Sequence, residues 1–516
     1  MKHFAILCLF VLTVSSDLPA QVTWADDVAE IVYANCATCH RDAGIAPFPL
    51  IDYTEDVAPN VNAILEAVGT GYMPPWTADS DYQDYLGERL LSSEEVQTIV
   101  DWVANGSPEG SAADAPPPPV FNDAGFITAT PDLEVRIPDY VSNASATFDD
   151  YVCFAIPTGL TEDKKLRAFE VIPGNTEIVH HALVYIDAEG DYETDTSGLC
   201  GGPALGLIGG YTPGGQPTIY PSDGQDMNLG VTIPAGSNLV FAMHYPNGSA
   251  GQLDSTKVRL FFYEDDTQIR EVTTFPLIQD WEFTIEANAV EEVTAEWSYV
   301  PEDVSFLNVF PHMHLLGDYI ESYAVTLAGD TIPLVRIPHW DFDWQEFYNF
   351  QNLIHIPAWT TIHGRGIYEN TPGNPHNPND PPVDVGAGLN TTDEMFLVYF
   401  SFLAYEEGDE NIDLEELTQL PTDLNSIEWV DSGSMHVYPN PSNDILYFEM
   451  ELERPSQISI YLYDQHGRLV ERIADQAQRN AGMQRITFDT EGLNAGIYFY
   501  SVNLNGDLGS GKVLIR

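Results

Sequence analysis

The chain has 516 residues, 44% of them hydrophobic, enough for about three to four domains with packed cores. It carries 19 Lys+Arg against 79 Asp+Glu, a formal net charge of −60. A field of that sign excludes nucleic acid and anionic membranes as partners, and it fits a solvated acidic surface suited to salty water. Residues 1–20 read as a secretory signal. Lys2 supplies positive charge, Phe4 to Val14 the apolar core and Leu18-Pro19-Ala20 a cleavage site. That run is too short to span a membrane as an ordinary helix, and no later stretch qualifies. The mature chain is expected to be exported, soluble and without a membrane span.

Residues 21–112 are expected to form a small helical domain. Thr23 to Tyr33 carries apolar residues at helical spacing and leads into Cys36-Ala37-Thr38-Cys39-His40. This is CxxCH, the attachment motif of a c-type haem. Thiols separated by two residues lie one helical turn apart and reach the two haem vinyl groups, and the adjacent imidazole coordinates iron. The alternative is a CxxC redox pair or a zinc half-site. Zinc needs further ligands, and residues 22–120 hold no other Cys or His. Further on, Ser92 or Ser93 caps a helix with Glu94 and Glu95 in its first turn. Val96, Ile99, Val100 and Val103 form its apolar stripe, and Gly106 ends it. The intervening Gly71-Tyr72-Met73-Pro74-Pro75-Trp76 resembles the ligand loop of class I cytochromes c. That resemblance implies Met73 as the second axial ligand, which raises the haem potential. Ala115 followed by Pro116 to Pro119 makes residues 113–120 a stiff linker.

Residues 121–428 change to apolar-polar alternation, as in Glu134 to Ile137 and Lys257 to Phe261, punctuated by turns such as Pro173-Gly174-Asn175. The pattern predicts two all-β sandwiches, 121–272 and 273–428. Of five cysteines, Cys8 leaves with the signal and Cys36 and Cys39 hold haem. Cys153 and Cys200 remain, and an oxidising compartment predicts a disulfide between them, stabilising by about 4 kcal/mol in the chain-entropy picture.

Five histidines of this region fall in three places: His180-His181, His244 after the apolar run Leu239 to Ala242, and His312-Met313-His314. On a strand, His312 and His314 share a face and can grip one metal. Imidazole suits copper, zinc or iron. His180 and His181 would point to opposite faces, so joint ligation requires the backbone to bend there.

In order, HH, a lone HY after a strand and HxHxxG resemble the copper type II, ascorbate-dependent monooxygenases, the family of dopamine β-monooxygenase and peptidylglycine α-hydroxylating monooxygenase. The resemblance implies two copper ions, one per sandwich. The electron-transfer copper falls on His180, His181 and His244. The oxygen-activating, catalytic copper falls on His312 and His314, with Met395 of Asp393-Glu394-Met395 as its third ligand. Soft thioether sulfur favours Cu(I), the state that meets O2. His339-Trp340-Asp341-Phe342-Asp343-Trp344-Gln345 also resembles this family and receives no role. The chain departs from the family in having one possible disulfide and in its fused end domains. No residues match those that anchor the animal substrates.

The implied activity is hydroxylation of a C–H bond of a small-molecule or peptide substrate with O2. The covalent haem c would relay electrons from an external donor, an ascorbate-like reductant or a redox protein; flow from substrate to haem is the reverse possibility. The alternative is a non-catalytic copper-binding or ligand-binding β-module tethered to an electron-transfer cytochrome. A zinc hydrolase is disfavoured by the lack of HExxH.

Residues 437–516 hold seven of the 19 basic residues. They open with Tyr438-Pro439-Asn440-Pro441-Ser442 and close with Gly492-Leu493, Ala495 to Phe499 and Lys512 to Arg516. The segment resembles the C-terminal sorting domain of type IX secretion substrates, which implies that machinery as a partner and a secreted or cell-surface product. The expected architecture is therefore multidomain: a small all-α cytochrome c domain, two all-β sandwich copper domains and a small C-terminal β-sandwich.

Overall fold

The computed structural model describes residues 21–418 and 435–515, apart from 43, 113–114, 120–126, 128, 226 and 416 in the first range. In the second it leaves out 439–441, 443–444, 453, 464–468, 491, 494–495 and 505–506. The predicted signal, the predicted end of the second copper domain at 428, and Pro439 to Pro441 and Ala495 of the sorting motif lie outside the described residues. Strands dominate. Among the described residues, helices are confined to 24–104 apart from one short turn at Asp409–Asn411.

The N-terminal segment has three α-helices, Ala29–Asn35, Val61–Gly69 and Ser93–Ala104. The last is capped by Ser92, whose hydroxyl accepts from Glu95 N while the Glu95 side chain accepts from Ser92 N, a reciprocal box that satisfies two otherwise orphaned donors. Its buried positions are Ile99 and Trp102, with Val96 and Val103 packed alongside. Trp102, absent from the predicted stripe, is wholly buried, and its ring lies 6.1 Å from that of Trp24. Residues 70–92 hold no helix, since Pro74 and Pro75 supply no N–H donors and bar helical continuation. This stretch packs on the second β-sandwich. Ala78 and Tyr85 join that core, Tyr85 Oη donates to Leu334 O (3.0 Å), and Arg336 donates to Asp79 Oδ2 (2.6 Å).

The first sandwich pairs two sheets. One runs Leu133–Arg136, Lys257–Phe262, Lys164–Ile172, Leu229–Ile233, Arg270–Glu271. The other runs Asp195–Gly198, Asp150–Pro157, Asn238–Tyr245, His181–Asp187, Leu207–Tyr211. Strand alternation decides what each face of the second sheet meets. Val152, Phe154, Ala182, Val184, Phe241 and Met243 point into the main core. Their neighbours Cys153, Leu183, Tyr185, Val240 and Ala242 form a second cluster that also receives Tyr399 of the other sandwich. Both faces are buried, which is why this sheet reads as nearly continuous apolar runs. Cys153 and Cys200 form the predicted disulfide, with Cα atoms 5.9 Å apart.

The chain passes to the second sandwich between Glu271 and Thr273. Its sheets run Thr273–Asp280, Phe396–Ala404, Val304–His312, Tyr348–Ile356 and Ala289–Trp297, Thr361–Asn370, Gly317–Val325, Thr331–Ile337. Arg270 latches the two sandwiches. Its strand pairs with Leu229–Ile233 of the first, while its guanidinium donates to Ala404 O and to both carboxylate oxygens of Asp409 at 2.7–2.8 Å.

Residues from 435 onward form a separate compact unit. Met435–Tyr438, Ile445–Leu452 and Gly482–Asp489 make one sheet; Leu469–Arg479, Ser456–Tyr463, Gly496–Leu504 and Asp507–Ile515 make the other. Leu446, Phe448, Ile458, Leu462, Val502 and Val513 fill its core.

Candidate functional site

Three histidines of the first sandwich converge. His244 and His181 lie directly opposite each other on adjacent antiparallel strands, so their side chains share a face. His180 precedes the strand, which begins at His181, so the adjacent pair escapes strand alternation and both rings turn inward. That is the bend the sequence required for joint ligation. Nδ1 of His181 lies 3.2 Å from Nδ1 of His180 and 3.3 Å from Nδ1 of His244. One ring nitrogen from each lies within 4.8 Å of the others. Burial, with the neighbouring rings, pulls His180 down to about 3 and His181 well below the usual range. The imidazoles are therefore neutral, each with one N–H. With the protons on Nε2, the Nδ1 lone pairs of His180 and His244 crowd that of His181 at 3.2 and 3.3 Å, an arrangement that a bound cation relieves.

The cluster is braced from behind. Asp149 Oδ2 stands 3.3 Å from His244 Nε2, and Tyr151 stacks on the His244 ring at 4.2 Å. Burial alone would raise the Asp149 carboxyl, but His244 and the two Thr391 donors hold it well below the carboxylate range. Thr391, whose N donates to Asp149 Oδ2 at 2.9 Å, belongs to the loop that leads into the second sandwich's own site.

There, His312 ends its strand and His314 follows it, with ring centroids 5.1 Å apart. Met313 is wholly buried in the opposite core. Met395 Sδ lies 3.1 Å from His312 Nε2. His312 Nδ1 meets Gln345 Oε1 at 2.6 Å, and His314 Nδ1 meets Asp393 O at 3.1 Å. Each second nitrogen is thus committed to a neutral oxygen, which fixes tautomer and ring angle. Glu394, fully buried, accepts from the backbone N–H of Leu316 (2.6 Å), His314 (3.0 Å) and Met395 (3.3 Å). Burial raises it to about 8 against those donors. Gly317 completes the turn: a Cβ there would stand 2.7 Å from Trp340 Cδ1.

The two sets face each other, with the rings of His181 and His312 6.1 Å apart between centroids. Segment 340–346 ties them together. Phe342 stacks on His180 at 4.7 Å and meets His314 edge-on at 5.7 Å. Trp340 Nε1 donates to His314 O (3.2 Å), and Gln345 holds His312. Glu346 reaches back to Arg89 of the N-terminal segment, 3.0 Å from Nη1.

Cys36, Cys39, His40 and Met73 line one cavity of about 710 Å³, together with Phe48, Ile64, Val68 and Trp344. His180 belongs to the same wall. Cys36 caps the Ala29–Asn35 helix, and His40 N bonds back to its carbonyl (2.9 Å), so both sulfurs and the imidazole occupy one turn. The cysteines are free, and burial, then Cys39, pushes the Cys36 thiol up to about 12. His40 Nδ1 meets Phe48 O at 2.9 Å, leaving Nε2 available. All ten predicted ligand positions thus lie on two neighbouring assemblies. Sequence reasoning missed Asp149, Thr391, Glu394, Gln345 and Phe342. Glu394, Gln345 and Phe342 sat inside motifs read in the sequence, and that was their only signal.

Residues 436–516 match the secretion system C-terminal sorting domain family. That type IX sorting domain marks the protein for export to the cell surface or beyond. No helix among the described residues is long and apolar enough to cross a membrane. No curated protein matches the chain. In backbone the chain is similar to a calcium-binding mutant of Bacteroides uniformis β-glucuronidase 2, at 9% identity and TM-score 0.12 over 44% of this chain and 26% of that one. It is also similar to Ruminococcus gnavus β-glucuronidase, at 12% identity and TM-score 0.11 over 45% and 36%. The PBSX exported protein XepA aligns at 9% identity and TM-score 0.15 over 48% and 89%. The chain spans about a quarter to a third of those glucuronidases' length. Likeness this low carries no argument about function.

Proposed function

We propose that this exported protein is a copper-dependent monooxygenase that hydroxylates a C–H bond with O2, with electrons delivered through a covalently bound haem. One observation carries the reading. His180 belongs both to the three-histidine cluster and to the wall of the cavity that holds Cys36, Cys39, His40 and Met73. Two metal-competent clusters facing each other beside a haem motif have a use in redox chemistry and little in hydrolysis.

His180, His181 and His244 would hold one copper; His312, His314 and Met395 the other; Cys36, Cys39, His40 and Met73 the haem. When bound, the metals supply one-electron exchange and reaction with O2. The chain's own residues do the positioning. Asp149 orients His244, Gln345 and Asp393 orient His312 and His314, and Glu394 holds the turn that sets their spacing. His312, His314 and Met395, all buried, keep bulk water from their side of the reacting space.

The deciding experiment is metal content of the full mature protein, followed by stopped-flow oxidation of the pre-reduced haem. About two coppers per iron are expected from ligand type and count, with haem reoxidised faster when copper, O2 and substrate are present. Iron without copper after attempted loading would leave the β-sandwiches as binding modules and the haem motif as the lone redox centre.

A further inference from the structure

Between the two histidine sets lies a cleft of about 200 Å³. His181 bounds it on one side, His312 and Met395 on the other. Its remaining wall comes from both sandwiches. Tyr151, Leu183, Ala242 and the segment 200–202 belong to the first; Phe310, Leu389, Leu397 and Tyr399 to the second. Register explains the mixture. Leu183 lies opposite Ala242 on neighbouring strands, on the face that also carries His181 and His244. Phe310 lies opposite Tyr399, and His312 opposite Leu397. Trp281, 45% exposed, stands at the mouth.

We propose that the substrate bound here is a small, uncharged, mainly hydrocarbon molecule, about one aromatic ring with a short side chain; this rests on the monooxygenase reading. Size and charge both lead to that class. An apolar cavity of about 150 Å³ accepts benzene, so 200 Å³ admits a ring, a few further carbons and little more. This chain has 79 acidic residues, yet no Asp, Glu, Lys or Arg lines the cleft. An ammonium or carboxylate held fully inside it would lose its water and meet aromatic faces, tyrosine hydroxyls and backbone in place of a counter-ion, at a cost of several kcal/mol. The reaction balances as R–H + O2 + two electrons + two protons giving R–OH + water. One C–H bond breaks, one C–O bond forms, and the second oxygen leaves as water. The electrons come from a one-electron donor outside the chain, and the protons from solvent.

The test is equilibrium binding to the copper- and haem-loaded full chain without O2, so that no turnover intervenes. Fluorine NMR would follow 4-fluoroethylbenzene, with ethylbenzene, phenethylammonium and phenylacetate as competitors. Ethylbenzene is expected to displace the probe at least ~100-fold more effectively than either ion, since burying an unpaired charge costs more than 3 kcal/mol. Ala242→Leu, which fills the floor from a strand, and Leu389→Trp, which fills it from a loop, are each expected to weaken the probe at least ~10-fold, the effect of overpacking a fitted space. Copper content and haem spectrum should stay unchanged in both. Equal or better competition by either ion would overturn the substrate class, as would full-strength probe binding in both variants. A chain that binds the probe but takes up no copper would instead defeat the monooxygenase reading and leave the cleft's selectivity standing.

Discussion

The two histidine sets are built from similar parts but braced differently. His244 has a carboxylate behind it, Asp149 at 3.3 Å. His312 has a neutral amide, Gln345 at 2.6 Å, and a thioether beside it at 3.1 Å. An anion behind an imidazole raises its basicity and favours the more highly charged state of a bound metal. A neutral acceptor and soft sulfur favour the lower charge. Both sets border the cleft between them, but only the set with the carboxylate also borders the haem-motif cavity, through His180. On the proposed function, that difference in bracing would suit one set to holding an electron and the other to meeting O2.

The harshest way to break this contrast is Met395→Ala. Turnover should fall on the order of a thousand-fold, the several kcal/mol a correctly held metal supplies, while the haem spectrum persists; near-normal product formation would remove the thioether from the scheme. Exchanging the braces comes next. Asp149→Asn should raise the reduction potential of the three-histidine site, and Gln345→Glu should lower that of the other. Each shift should be about 60–120 mV, equivalent to the 10–100-fold effect of second ligand contacts. Potentiometric EPR reads both, and shifts of the same sign would refute the assignment.

The latch that keeps the sets facing each other is also testable. Arg270→Ala strips a partner from Asp409, which also accepts from Ser305 at 2.6 Å, and should cost about 3 kcal/mol in denaturant unfolding. Burial would raise Asp409, but Arg270 and Ser305 hold it below the ordinary carboxyl range. Its contribution is therefore complete above the unfolded-state value and lost as pH falls through the lower folded one. The wild-type advantage over Asp409→Asn should accordingly shrink on acidification; a gap that widens would contradict the pairing. The smallest effect expected is Gly317→Ala, about 1–3 kcal/mol of overpacking against Trp340, seen as a lower melting temperature with altered His314 resonances.

Short-range chemistry was legible. CxxCH puts its ligands on one turn, HxH on one strand end, and the Ser92–Glu95 box on one helix start. The braces were not, because their partners lie far apart in the chain. Thr391 reaches Asp149 across 242 positions, and Glu394 reaches Leu316 across 78. His180-His181 looked awkward because alternation was applied to both, whereas the strand starts only at the second. The β-class was plain from alternation. Residues 70–92 gave no sign of packing on a sandwich, since their apolar residues carry no period.

The disulfide between Cys153 and Cys200 has a consequence for timing. Cys200, Gly201 and Gly202 line the cleft between the two histidine sets, and the bond fastens that wall to the strand beside His244. Such bonds persist only outside the reducing cytoplasm. A chain held in the cytoplasm would carry every histidine in its sequence and still have one side of that cleft unfastened. Departure from the cytoplasm is then a step in maturation: the cleft acquires its last wall only in an oxidising compartment.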